Sequence, residues 1–299
     1  MQVILKRLLV LYVFLLAGWL IGRLRRDKAS HADILSVLLV NIFLPCKVFL
    51  TFSNNVSVSF LTERYDLLIA SVVVLAILAA LSPLVSRIMT QNPYERRVYA
   101  YSIPIANYAY LGYALIESVF GETVLSEFMF FVIPFSLYTY TVGYILLTGE
   151  QKPLKKLLNP ITVAIVLGIA AGLLGWKLPD AAVSAVSAAS ACVGPLSMVL
   201  TGLTLSTFAI KELLTDKTAY LFSFLRLVGI PALAYLVCCL LRLDTLMPMI
   251  LMVTCMPCGL NTIVFPRLIG EDCRTGARLA LITHVCALAT IPLWLSLIR

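Results

Sequence analysis

Charged side chains are scarce in this sequence. They make up 13% of the 299 residues, against roughly 25% in an average soluble domain. Hydrophobic residues make up 61%. The scarcity of charge excludes an ordinary soluble domain, and the long apolar runs predict an all-α polytopic membrane protein.

The apolar runs also lack the side chains that catalysis or metal binding requires. No set of Cys, His, Asp or Glu pairs a nucleophile with a base, so we do not expect an enzyme. Cys255 and Cys258 form a C-x-x-C pair that a soft metal or a redox reaction could use. No further cluster of Cys, His or Met completes a coordination sphere. We therefore predict no metal and no other cofactor, and interpret these thiols as small hydrophobic residues.

Ten apolar runs are long enough to cross a hydrocarbon core of ~30 Å. They are numbered TM1 to TM10 and fall near residues 5–22, 32–52, 66–89, 97–120, 124–147, 160–176, 182–207, 219–241, 245–269 and 275–298. The net charge of +8 lies in the short connections between them. Membrane orientation explains this charge better than a nucleic-acid partner, which we do not predict.

Lys and Arg are unevenly divided between the two sides of these runs. Six lie in the connections on one side and fifteen in those on the other. Because cytoplasmic connections carry the excess, both termini are predicted outside. We expect the protein in a plasma membrane, such as the bacterial inner membrane.

The connection 148–159 divides the ten runs into two halves. It carries Lys152, Lys155 and Lys156 and is predicted to be a cytoplasmic linker between a first repeat at 1–147 and a second at 160–299. Five crossings is an odd number, so the second half enters the membrane in the opposite sense from the first. This 5+5 inverted repeat is typical of many transporters.

TM4 and TM9 contain residues that a membrane helix does not need. TM9 includes Met256-Pro257-Cys258-Gly259-Leu260-Asn261, and TM4 includes Ile103-Pro104-Ile105-Ala106-Asn107. Proline removes a backbone donor and glycine relaxes the backbone, so both helices are predicted to be broken. A break at membrane depth persists only where it lines a cavity or is buried in protein. Paired breaks in two halves indicate the substrate site of a secondary transporter, and the asparagine amides can serve both exposed carbonyls and a ligand.

Ionisable side chains at membrane depth are few, and each leaves two interpretations. Lys47 in TM2 either lies near the cavity or snorkels to the outer interface. Arg226 in TM8 is assigned to a structural ion pair or to snorkelling rather than to the substrate. His284 in TM10 either relays protons or is a hydrogen-bonded packing residue, which we favour. Glu117 is predicted to be interfacial.

Motifs in nearly every apolar run match those of one transporter family. They are Leu44-Pro45 with Phe49, Asn107-Tyr108-Ala-Tyr-Leu111-Gly112, Asn159-Pro160 with Gly168, Leu178-Pro179, Pro195 through Gly202, Arg226 with Pro231, Met256-Pro257 with Asn261-Thr262, and Ile291-Pro292-Leu-Trp294. With these motifs the chain resembles the auxin efflux carrier family. That family contains the plant PIN auxin transporters and bacterial carriers assigned to malonate, malate and related organic acids.

The resemblance implies a ten-helix inverted-repeat fold like that of bile-acid sodium symporters. TM1, TM2, TM6 and TM7 would form a scaffold that often mediates dimerisation, and TM3–TM5 with TM8–TM10 would form a core that moves as an elevator. Substrate would bind beside the crossing of TM4 and TM9, against TM2. The implied substrate-binding residues are Asn41, Lys47, Asn107, Tyr108, Asn261 and Thr262, with Pro104, Gly112, Pro257 and Gly259 shaping the backbone.

These observations favour a secondary transporter for a small organic anion, a mono- or dicarboxylate. A cation would find no Asp or Glu in the central turns of the predicted helices. Two alternatives stay open: a sodium-coupled symporter of the bile-acid type, and a membrane sensor that binds the same ligands without moving them. The long cytoplasmic loop of many plant members is missing, which leaves auxin itself open as a substrate.

Overall fold

The computed structural model describes residues 1–24, 28–150 and 158–298. These residues form helices joined by short turns, with no strand among them and one isolated antiparallel bridge, between Ala106 and Cys258. The three lysines of the predicted linker lie outside the described residues, as do Arg25 and Arg26. The predicted all-helical class is confirmed.

Nine α-helices are described before residue 150. They are α1 (Gln2–Leu24), α2 (Lys28–Leu38), α3 (Leu44–Asn55), α4 (Val58–Met89), α5 (Pro93–Ser102), α6 (Tyr113–Phe120), α7 (Glu122–Phe131), α8 (Ile133–Tyr138) and α9 (Tyr144–Thr148). Five-residue π-helical stretches join α2 to α3, precede α6 and join α8 to α9, at Leu39–Phe43, Tyr108–Gly112 and Thr139–Gly143. The sequence marks the start of α5 with an asparagine cap followed by proline, since the Asn92 side chain accepts from the N–H groups of Tyr94 and Glu95.

Eight α-helices are described after residue 158. They are α10 (Pro160–Leu174), α11 (Asp180–Ser206), α12 (Ile210–Leu213), α13 (Lys217–Phe224), α14 (Ile230–Leu241), α15 (Met247–Thr254), α16 (Asn261–Leu268) and α17 (Arg274–Ser296), and a π-helical stretch at Leu225–Gly229 joins α13 to α14. The cap at α10 repeats the cap at α5. Asn159 accepts from the N–H groups of Ile161 and Thr162, with Pro160 in the first helical position.

Six described helices are long and apolar enough to cross a membrane. They are Gln2–Leu24, His31–Asn55, Val58–Met89, Asp180–Ser206, Lys217–Leu241 and Arg274–Ser296. Glu122–Phe131 and Ile133–Thr148, which meet at an angle of 48°, make a seventh if they are one bent span. The chain is therefore an integral membrane protein. The remaining predicted crossings, TM4, TM6 and TM9, correspond to shorter helices: α5 with α6, α10, and α15 with α16.

Close packing joins α1 to α11 and α3 to α10. A Cβ atom added at Gly202 would lie 2.0 Å from the backbone oxygen of Leu15, and one added at Gly172 would lie 2.4 Å from that of Val56. Small residues allow membrane helices to approach at such distances, because packing rather than water exclusion holds them together in lipid. The helix α11, which contains Gly202, accordingly packs against both α1 and α3.

The helix α17 runs through the interior of the molecule. Of its apolar stretch 56% is buried, against 22–28% in the other five long helices. Its polar residues Thr283 and His284 consequently lie against protein and not against lipid.

Candidate functional site

Two interruptions of helical geometry lie against each other. One is segment 103–107, after α5, and the other is segment 255–260, between α15 and α16. Ala106 pairs with Cys258, and the Asn107 N–H donates to the Pro257 oxygen at 2.7 Å. The Cys258 N–H donates to the hydroxyl of Thr283 at 3.1 Å. Backbone groups that the broken helices leave without helical partners are in this way bonded inside the protein, as an apolar surrounding requires.

A small cavity opens where the two interruptions meet. Its wall is formed by Leu44, Ala106, Asn107, Tyr108, Ala109, Tyr110, Tyr140, Ile161, Gly259, Leu260 and Asn261. The cavity volume is about 30 Å³. This is more than the roughly 10–15 Å³ that one water molecule needs, but far less than the roughly 300–1,000 Å³ of small-molecule binding sites. In this conformation the cavity has room for water and not for an organic acid.

Asn107 is held by four hydrogen bonds, two through its backbone and two through its side chain. Besides its backbone bond to Pro257, its side-chain oxygen accepts from the Leu111 N–H at 3.3 Å. Its side-chain nitrogen lies 3.0 Å from Nε2 of His284. The side-chain oxygen therefore caps the helix that begins at Tyr108, and Asn107 is buried.

Asn261 is less constrained and only half-buried. Its side-chain nitrogen donates to the Tyr101 hydroxyl at 3.1 Å. The Tyr108 hydroxyl lies 3.0 Å from that of Ser136 and 3.4 Å from that of Thr139. Asn107, Tyr108 and Asn261 are thus brought together at the cavity, as expected for one site.

The other three predicted ligands lie elsewhere. Asn41 is exposed, and its side chain donates to its own helix at the Val37 oxygen, 2.7 Å away. Thr262 is buried, and its hydroxyl donates to the Gly259 oxygen at 2.9 Å. Lys47 forms an ion pair with Glu117. TM2 contributes Leu44 to the cavity wall, because the helix turns the neighbouring polar residues to other faces.

The predicted backbone-shaping residues have separate places in the site. Pro104 and Pro257 lie within the two interruptions. Gly259 is part of the cavity wall, where an added Cβ would lie 3.4 Å from the Ala106 oxygen. Gly112 donates its N–H to the backbone oxygen of Asn107 at 3.1 Å and lies beside the ring of Phe128. Gly259 thus permits the two interruptions to approach, whereas Gly112 belongs to the helix that follows the first.

Arg226 has a role that differs from both predicted ones. It is fully buried, and its guanidinium donates to the oxygens of Thr254, at 2.5 Å, and Val253, at 3.5 Å. These are carbonyls of the last turn of α15, which lack helical partners. The arginine caps the negative end of the helix that leads into the second interruption. It forms no ion pair with any described residue.

His284 contacts the first interruption directly. Its Nδ1 lies 2.7 Å from the Ala280 oxygen, and its backbone oxygen accepts from the Tyr12 hydroxyl. His284 is thus buried and hydrogen-bonded on both sides of its ring, a state from which either interpretation can proceed. Sequence reasoning could not predict its contact with Asn107, because 177 residues separate them.

Tyrosines form much of the cavity, and sequence reasoning missed most of them. Tyr110 and Tyr140 line its wall, and Tyr101 contacts Asn261. A signal was present, since five of the 13 tyrosines lie between residues 99 and 113. Such a concentration of hydroxyl groups in an apolar run indicates a protein interior where each finds a hydrogen-bond partner.

Known proteins similar to this chain are membrane transporters. A family model described as membrane transport protein matches residues 3–156 and 145–295. An uncharacterized transporter of Methanocaldococcus jannaschii is 26% identical over 297 residues, which cover 96% of this chain and 96% of that protein. Each stretch matched by the family model contains one of the two interruptions.

Proposed function

The chain belongs to the membrane transport protein family, the auxin efflux carrier family, and we propose that it is a secondary carrier for a small organic anion. The observation that carries the proposal is the junction of the two interruptions at one cavity, with Asn107 and Asn261 in its wall. Two interrupted helices that meet in this way are the usual construction of a transporter's substrate site.

The sign of the substrate follows from the helix ends around the cavity. Two negative ends, those of α5 and α15, and two positive ends, those at Tyr108 and Asn261, meet there, so the helix dipoles alone largely cancel. Arg226 caps the negative end of α15. Its charge leaves the junction net positive, which favours an anion over a cation.

Neutral donors would supply the specific contacts to a carboxylate. An asparagine amide nitrogen carries two N–H groups, and Asn107 and Asn261 each direct one of them to a protein partner. The second N–H of each remains for a ligand. The backbone N–H groups of Asn261 and Thr262, at the start of α16, have no acceptor among the described residues, and they add further donors beside the wall.

Transport requires the cavity to open to each side in turn. In the proposed elevator, α1–α3, α10 and α11 form the scaffold. The helices α4–α9 and α13–α17 form the core that carries the cavity. Four polar contacts between described residues would then break in each cycle. Two are hydrogen bonds, from Ser197 to the Tyr110 oxygen at 2.8 Å and from Tyr12 to the His284 oxygen. The other two are the ion pairs Lys47–Glu117 and Arg267–Asp33. The small size of the cavity supports an intermediate closed to both sides.

The same proposal includes the finer membrane topology. Ten crossings arise if the interrupted pairs, the bent pair and α10 each span the membrane, which gives an inverted 5+5 repeat with both termini outside a plasma membrane. Dimerisation would use the scaffold. Single cysteines introduced at Lys155 and Asn54 in a cysteine-free chain should react with impermeant thiol reagents from the cytoplasmic and outer sides respectively, and the opposite labelling would overturn the orientation.

Uptake by vesicles tests the transport proposal. Purified protein is reconstituted and supplied with labelled malonate, malate or indole-3-acetate, with and without sodium and across pH. We expect saturable uptake of at least one carboxylate, which Asn107→Ala and Asn261→Ala reduce and Asn54→Ala, at the exposed end of α3, does not. Binding without uptake would favour a sensor, strict sodium dependence would favour the bile-acid type, and uptake of organic cations alone would contradict the proposed substrate class.

A further inference from the structure

The hydrogen bonds of His284 fix its tautomer. The Ala280 carbonyl can only accept, so Nδ1, 2.7 Å away, carries a proton. In the neutral ring Nε2 is then a bare acceptor. It accepts from the side-chain nitrogen of Asn107 at 3.0 Å, and this in turn directs the Asn107 oxygen to the Leu111 N–H.

A proton added to Nε2 reverses this arrangement. Both ring nitrogens of an imidazolium are donors, so Nε2–H would face the N–H groups of Asn107. The Asn107 amide must turn until its oxygen accepts from His284. Its nitrogen then lies beside the Leu111 N–H, so two donors meet where the neutral form has one donor and one acceptor. A carboxylate fits such a pair of donors.

Charges near His284 do not supply a counter-ion for the imidazolium. The elements packed against α17 carry the titratable or charged groups of Lys6, Arg7, Tyr12, Arg23, Tyr94, Glu95, Arg96, Arg97, Tyr99, Tyr101, Lys211, Glu212, Lys217, Tyr220, Arg226 and Arg267. Asp216, Cys255 and Cys258 flank these elements, and α17 itself adds Arg274, Arg278 and Cys286. Among the described residues the nearby carboxylates contact the first turns of α17, Glu95 at Thr275 and Asp216 at Arg278. These contacts lie six or more residues before His284, roughly 9 Å along a helix.

From this geometry we propose that His284 is the proton-binding site of the carrier and that one proton travels with each carboxylate. The inference rests on the proposed function. An anion in the cavity would be the counter-ion that the buried imidazolium lacks, and the imidazolium would orient Asn107 to receive the anion. Because the coupling between two ligands is reciprocal, each then binds better in the presence of the other. The proton is taken up on one side and released with the substrate on the other.

Wild-type protein provides the first test. Vesicles with the membrane potential clamped at zero by potassium and valinomycin contain a pH-sensitive dye and receive malonate, malate or indole-3-acetate. Entry into protein-free vesicles is subtracted, because undissociated indole-3-acetic acid crosses a bilayer together with its own proton. With the outside one pH unit more acidic, one-to-one coupling predicts about tenfold accumulation of substrate, because one pH unit is a tenfold proton ratio. The dye should report acidification in step with uptake. Uptake without accumulation or acidification would overturn the coupling and leave the carrier standing, whereas no uptake of any of the three acids would reject both.

Variants test the assignment to His284. His284→Gln and His284→Asn retain hydrogen-bonding groups but cannot be protonated, so the accumulation ratio should fall from about ten to about one. Binding of the transported acid, followed by thermal shift, should also lose its improvement on acidification. His31→Gln is the matched control, since His31 is the chain's other histidine and is exposed on α2. If either folded His284 variant keeps the tenfold accumulation, the proton binds elsewhere and the inference is wrong.

Discussion

The two interruptions look alike in sequence but are held in different ways. Asn107 follows Pro104 by three residues, whereas Asn261 follows Pro257 by four. Asn107 consequently occupies the capping position of its helix and bonds to Leu111. Asn261 is already the first residue of α16, where Leu260 takes the capping position without a side-chain bond. Because of this one-residue difference, the Asn107 side-chain oxygen caps a helix, whereas the Asn261 side-chain oxygen accepts no hydrogen bond from the described residues.

The helix ends that lead into the interruptions also differ. Arg226 caps the last carbonyls of α15. Among the described residues no cation contacts the last turn of α5, where the Tyr101 oxygen accepts from the Ile105 N–H at 3.2 Å. The second interruption therefore contributes positive charge and an accessible amide, and the first contributes the fixed hydrogen-bond chain to His284. A pair of related segments can in this way divide recognition and coupling between them.

The largest expected effect is that of Asn107→Ala. The change leaves the Leu111 N–H and Nε2 of His284 without their partner, and each buried group without a hydrogen bond costs about 1–3 kcal/mol. We expect transport to be lost and the melting temperature to fall clearly below that of the Asn54→Ala control. A variant with wild-type melting and uptake would remove the distinction between the two asparagines.

Arg226→Met should weaken carboxylate binding and also lower stability, because it leaves the buried Thr254 and Val253 carbonyls without their donor. A charge at a partly buried helix end contributes up to about 2 kcal/mol, roughly thirtyfold in affinity. We expect KM for carboxylates to rise by up to that factor, with Arg226→Lys between wild type and Arg226→Met. Equal KM values in all three proteins would show that the cap does not set the charge preference of the cavity.

Asn261→Ala should separate binding from stability. Its side chain makes one described bond, to the Tyr101 hydroxyl, and polar contacts between membrane helices average about 0.6 kcal/mol. We expect uptake to fall roughly tenfold, equivalent to about 1.4 kcal/mol, while melting stays near that of wild type. Melting as low as in Asn107→Ala would mean that both asparagines are structural.

The smallest effect on transport is expected for Lys47→Gln. Glu117 is 41% exposed and can be solvated when Lys47 is removed, whereas Lys47 itself is 6% exposed. Lys47 does not line the cavity, so KM should change less than about threefold, equivalent to about 0.7 kcal/mol, for mono- and dicarboxylates alike. Glu117→Gln should destabilise more, because it leaves a buried ammonium without a partner. Selective loss of dicarboxylate affinity in Lys47→Gln would restore Lys47 as a substrate ligand.

Sequence reasoning predicted the two interruptions but not all of the side chains that face the cavity between them. Pro104 and Pro257 indicate their interruptions because proline cannot donate to a helix, a local effect that needs no knowledge of packing. The side chains that face the cavity depend on helix rotation, which is why TM2 contributes Leu44 instead of Asn41 or Lys47. Periodicity could not supply that rotation, since apolar residues surround the whole of a lipid-facing helix.

Composition, together with prolines that act on their own backbone, was enough to predict a helical membrane protein and the places of two interruptions of helical geometry. The transporter family was indicated by the ordered motifs. The packing of the helices, in contrast, was needed to show that Arg226 caps α15, that Lys47 pairs with Glu117 and that Asn107 bonds to His284. Such contacts join residues far apart in the chain, and a buried polar group takes whichever partner the packing of helices brings within hydrogen-bonding distance.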